Sequence, residues 1–131
     1  MKHLIALILF LASLPALAES PVASLVASRP SGTAPLCVHF DATGSTDADT
    51  TNPFRDLLYR WNFGNPNAGN WASGANTSLP KNQARGPVAG HCYESAGSST
   101  AKLQVCAGAA CVSTTPAITV TVADTTYSGT N

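Results

Sequence analysis

The chain has 131 residues and balances seven Lys and Arg against seven Asp and Glu, with only 11% of positions charged. No excess of charge argues for nucleic acid or an anionic lipid surface as partner, and the length suits one domain. Its four cysteines contain no Cys-x-x-Cys pair and the histidines are scattered, which argues against a zinc site.

Residues 1–18, MKHLIALILFLASLPALA, have the pattern of a secretory signal peptide. Lys2 opens a basic start, an apolar run extends from Leu4 to Leu14, and Pro15 precedes Ala16-Leu17-Ala18, so cleavage is expected before Glu19. A membrane-spanning helix needs about 20 apolar residues; this run is shorter, and no membrane insertion is expected. The domain is read as 19–124, with 125–131 as a flexible C-terminal tail. The expected location is secreted or periplasmic, where cysteines in a short chain form disulfides.

Leu36, Val38 and Phe40 then alternate with Cys37, His39 and Asp41, the period of a half-buried strand. Asp41, Ser45, Thr46, Asp47 and Asp49 crowd oxygen atoms into the connection that follows. Asn52 to Leu58 has room for one helical turn. Tyr59, Trp61 and Phe63 share one face of a second strand, which assigns Trp61 to the core, and Gly64-Asn65-Pro66-Asn67 supplies the exit turn. Trp71 lies beyond that strand in an irregular Gly/Asn-rich connection. It reads as a lid over the sandwich edge; the alternative is an exposed ring for stacking on a sugar or peptide, and it is the ligand-binding candidate. Asn76-Thr77-Ser78 matches a glycosylation acceptor.

Ala101, Leu103 and Val105 alternate in a third strand, with Cys106 expected to point outward, and Ile118, Val120 and Val122 mark a fourth. Turn clusters fall at Arg29 to Thr33, Gly44 to Pro53, Gly64 to Gly69, Ser95 to Ser99 and Ala107 to Ala110. Short alternating strands with regular turns predict an all-β sandwich or barrel. Four cysteines allow three connectivities. Cys106 and Cys111 flank a short hairpin connection, and opposed residues of an antiparallel hairpin lie within disulfide range.

The ordered motifs SGTAPLCVHFDATGSTDAD (Ser31–Asp49), YRWNFGN (Tyr59–Asn65), GHCYESAG (Gly90–Gly97) and AKLQVCAG resemble the polycystic kidney disease (PKD) domain across about Val22 to Val122. The resemblance implies an immunoglobulin-like antiparallel β-sandwich of about seven strands. It places His91 and Tyr93 on the antiparallel neighbour of the Leu36–Phe40 strand, and so implies a Cys37–Cys92 bridge beside Cys106–Cys111. It implies a packed, hydrogen-bonded role for His91. The family's Trp-Asp-Phe-Gly-Asp-Gly element is Trp61-Asn62-Phe63-Gly64-Asn65-Pro66 here, with both aspartates replaced by asparagine. Some PKD-like domains hold calcium near the connection after the Leu36–Phe40 strand, which makes Asp41, Asp47 and Asp49 the calcium candidates. The asparagines lower the local carboxylate supply, so Asx-turn capping is the preferred reading and no cofactor is assigned.

Nothing in the sequence assembles a catalytic group. There is no Gly-x-Ser-x-Gly elbow, His39 alternates outward, and the nearest paired carboxylates, Asp47 and Asp49, sit in a turn. The expectation is a non-catalytic module that binds an extracellular glycan or protein, with no nucleic-acid partner. The alternative is a purely structural module, or a remnant of a larger secreted protein.

Overall fold

A computed structural model describes residues 19–72, 79–114 and 118–125. In chain order it contains β1 (Val26–Ala27), β2 (Ser31–Thr33), β3 (Leu36–Asp41), a helical turn α1 (Pro53–Asp56), β4 (Leu58–Asn62), a 3₁₀ turn (Pro66–Ala68), β5 (Gln83–Arg85), β6 (Val88–Tyr93), β7 (Gly97–Ala107), β8 (Ala110–Ser113) and β9 (Ile118–Ala123). The proposed signal segment, the Asn76–Ser78 acceptor and tail residues 126–131 lie outside the described residues.

Two sheets face one another. The smaller runs β1-β3-β6; the larger runs β2-β9-β7-β4-β5, with β8 also paired to β7. The four strands read from alternation appear as β3, β4, β7 and β9. Alternation finds them because each carries apolar residues at successive alternate positions on its inner face. Among the described residues nine strands stand where about seven were expected, since β1, β2 and β5 are only two or three residues long. Two turn assignments are corrected. Ser31–Thr33 forms β2 and pairs parallel with β9, Gly32 opposite Val122, so the sandwich is not purely antiparallel. Ser-Gly-Thr has no apolar pattern; its neighbour's open backbone groups make it a strand. Gly97 to Ser99 likewise belongs to β7, opposite Val122 to Val120 of β9.

The core lies between the sheets. Leu36, Val38, Phe40, Tyr59, Trp61, Phe63, Tyr93, Leu103, Val105 and Val120 are all buried. Phe40 packs 5.4 Å from Phe63 and 5.8 Å from Trp61, centroid to centroid, within the range of favourable aromatic pairs. The polar tips of the core's Trp and Tyr side chains each have a partner. Trp61 Nε1 donates to the Gly86 carbonyl at 2.7 Å, and Tyr93 Oη donates to Phe63 O at 2.8 Å. Tyr59 Oη donates to Pro53 O at 3.0 Å, tying α1 to the sandwich. Burial pushes the Tyr93 phenol up to about 12, so it remains a donor across the ordinary pH range.

Cys37 is bonded to Cys92, its direct partner in the β3–β6 register. Cys106 is bonded to Cys111 across the β7–β8 hairpin. Cys106 lies on the outer face of the larger sheet, as expected, between its register partners Leu58 and Cys111, yet it is only 2% exposed.

Candidate ligand groove at Trp71

The site begins where β4 ends. Asn62 Oδ1 accepts the Gly64 N–H at 2.9 Å, turning the chain back, and also accepts from Asn82 Nδ2 at 3.2 Å. Gly64 has φ +69°, and a Cβ there would strike the backbone of Thr100, so only glycine lets this turn lie directly on β7. Asn82 Oδ1 accepts the Asn65 N–H at 2.6 Å. The Asn65 side chain then meets His91 Nε2 at 3.2 Å.

That last contact fixes the imidazole. The Asn65 amide nitrogen can only donate, so Nε2 accepts and the ring proton sits on Nδ1. The ring lies flat on Phe63 at 4.6 Å, with Tyr93 edge-on at 4.7 Å, and is only 8% exposed. Burial holds His91 below the usual imidazole range, against smaller upward pulls from the Lys81 backbone and the Glu94 carboxylate. A buried neutral imidazole results.

Past the 3₁₀ turn, Asn70 bridges to Pro80. Trp71 N–H donates to Leu79 O at 3.0 Å, and Lys81 N–H donates to Gly69 O at 2.9 Å. This ribbon carries the indole away from the core. Trp71 and Leu79 are each 55% exposed, and Lys81 Nζ lies 5.6 Å from the Trp71 ring centroid, a cation–π distance. Just over half of Trp71 is thus open to solvent. Trp71 borders an open groove of about 600 Å³ whose other walls include Asn65, Lys81, His91, Glu94 and Ser99. The Cys37–Cys92 bridge lines it as well.

The acidic turn lies elsewhere, after the opposite end of β3. Asp41 Oδ1 accepts both the Thr43 N–H at 2.7 Å and the Thr43 hydroxyl at 2.6 Å. The hydroxyl, then the N–H, holds the Asp41 carboxyl below its ordinary value. Asp47 Oδ1 accepts the Asp49 N–H at 3.0 Å, while its Oδ2 is buried without a hydrogen-bond partner. Both are Asx turns. Calcium takes six to eight oxygens, and no group of three or more His, Cys, Asp or Glu converges among the described residues.

Two features of the groove escaped sequence reasoning. The Asn62–Asn82–Asn65–His91 chain of hydrogen bonds was signalled only by the two asparagines replacing aspartates. The Lys81–Trp71 contact had no local signal, because a bridge across the loop creates it.

No protein-family model and no curated protein matches the chain. Seven chains of solved structures do, among them the following two. One was solved to explain the promiscuous specificity of carbohydrate-binding modules from the β-sandwich superfamily; it is 22% identical, with TM-score 0.57, and the match covers 82% of this chain and 36% of that one. This chain thus spans about a third of that protein's length. The other is the PKD1 domain of Epp from Vibrio anguillarum, 24% identical with TM-score 0.53, covering 81% of this chain and 99% of that domain. What this chain shares with both is the β-sandwich fold.

Proposed function

We propose that this chain is an exported, non-catalytic PKD-like module that holds an extracellular or periplasmic glycan, or an extended protein segment, in the groove beside Trp71. The observation that carries the reading is the half-exposed Trp71 ring, held on a bridged ribbon beside a groove of about 600 Å³, within the size of small-molecule sites. A flat indole presents apolar area to a sugar or peptide at little cost in side-chain entropy. Export is supported by the signal-like residues 1–18 and by two disulfides, which persist in oxidising compartments. Catalysis is disfavoured by His91, the one imidazole in the groove. Its Nε2 accepts from Asn65 and its ring is packed against Phe63 and Tyr93, so the one acceptor nitrogen is engaged rather than free to act as a base.

A glycan array and an extracellular-matrix pull-down with the exported protein test the reading. Retention on at least one glycan or matrix protein is expected, with affinity reduced about tenfold in Trp71→Ala, roughly 1.4 kcal/mol, and an unchanged circular dichroism spectrum. No retention would leave the structural-module alternative standing, and equal retention by the variant would overturn the groove beside Trp71 as the binding site.

A further inference from the structure

The outer face of the larger sheet has a character that composition conceals. The strand registers place Arg85, Arg60, Gln104 and Ser113 in one row across β5, β4, β7 and β8. Gln83, Asn62 and Lys102 form a second row two residues along. With strands about 4.8 Å apart and side chains on one face about 6.8 Å apart along a strand, seven polar side chains tile a patch roughly 14 Å wide. All are exposed except Gln104, which is half-buried. Six of the seven, all but Arg85, line a shallow depression of about 280 Å³.

Three of the chain's seven cations stand on this face. Strands β4, β5, β7 and β8 contain no acidic residue. Arg60 and Arg85 are direct cross-strand partners, an arrangement that costs stability because like charges oppose each other. The one ion pair among the described residues, Arg55 with Asp56, is on α1. The face thus holds two guanidiniums and an ammonium without a counter-charge, interleaved with two glutamines, an asparagine and a serine that can donate to and accept from hydroxyls.

We propose that this face binds an anionic polysaccharide. Arg60 and Arg85 pair with its acidic groups, carboxylate or sulfate ester, through their planar forks. Lys102 supplies a further point charge, and Gln83, Gln104 and Ser113 engage ring hydroxyls. Single-stranded nucleic acid fits less well, because the aromatics of these strands, Tyr59 and Trp61, point into the core and offer no stacking platform. An anionic bilayer fits less well too, since polybasic membrane sites gather about four to eight cations. The surface shares no residue with the Trp71 groove and does not depend on it.

Affinity electrophoresis of the exported protein in gels containing polygalacturonate, dextran sulfate or neutral dextran tests this. Retardation by one or both polyanions and not by dextran is expected, and the two polyanion arms distinguish carboxylate from sulfate. Arg60→Gln/Arg85→Gln should weaken that binding at least about tenfold, and Lys102→Gln severalfold. Neither variant should lower the Tm, because each removes positive charge from an uncompensated face. Trp71→Ala should bind the polyanions as the parent does. Absence of retardation by both polyanions overturns the proposal. So does undiminished binding in the double variant and in Lys102→Gln, or equal retention of single-stranded DNA or phosphatidylglycerol vesicles that the same substitutions abolish.

Discussion

Trp61 is 2% exposed and Trp71 is 55% exposed, and their removal should read differently. Trp61→Ala empties a core site and strips the Gly86 carbonyl of its donor, so about 3–5 kcal/mol should be lost in urea denaturation. Trp71→Ala should change stability by about 0.5 kcal/mol or less, and acrylamide should quench Trp71 and largely miss Trp61 in single-tryptophan variants. His91 sets a pH dependence. Its folded pKa lies below its ordinary 6.5, so below that pH the unfolded chain takes up a proton that the folded chain resists. The His91 contribution is therefore complete above about pH 6.5 and declines as pH falls toward the folded value. Asn65→Asp would set a carboxylate against Nε2 and favour the imidazolium. Imidazole NMR titration should show a raised His91 pKa in that variant, and the urea midpoint should fall less between pH 7.5 and 5.0. An unchanged titration would refute the assigned contact.

Among the elements, β3 and β6 are joined by the bridge with the larger consequence. Cys37 and Cys92 are separated by 55 positions, whereas Cys106 and Cys111 are separated by five. Loop-closure entropy then gives about 4 kcal/mol for the first bridge and about 2 kcal/mol for the second. Paired Cys→Ala substitutions avoid leaving a buried hydroxyl at position 106, and they should lower stability in that order; equal losses would count against the entropic account. The parallel β2–β9 pair shows how an element can arise without an amphipathic pattern. Ser31–Thr33 carries no hydrophobic signal, and β9 leaves backbone donors and acceptors that need partners.

For the whole molecule, a formal charge of zero coexists with a segregated surface. Folding gathers Arg60, Arg85 and Lys102 on one sheet face, while the acids lie on β3, α1 and the connections. None of the described helices is long and apolar enough to cross a membrane. If residues 1–18 are a cleaved signal, intact-mass analysis of the exported protein should begin at Glu19; a mass retaining those residues would refute the processing.

Alternation by itself determined the strands that make the core. Leu36-Val38-Phe40, Tyr59-Trp61-Phe63 and Ala101-Leu103-Val105 each place every second side chain in an apolar environment, and a one-residue slip would expose the whole set. The hairpin spacing of Cys106 and Cys111 was equally local. What lay beyond sequence were the features made by contacts between distant segments. Trp71 became an exposed groove wall because Asn70 bridges Pro80 and sets Lys81 under its ring. His91 became a neutral acceptor because the Asn62–Asn82 contact carries the turn and Asn65 to it. The basic face exists only because strand register brings Arg85 beside Arg60. Local periodicity fixes which side of a strand is buried; it does not say which strand comes alongside, and that is decided by packing and by the pairing of backbone groups across the sheet.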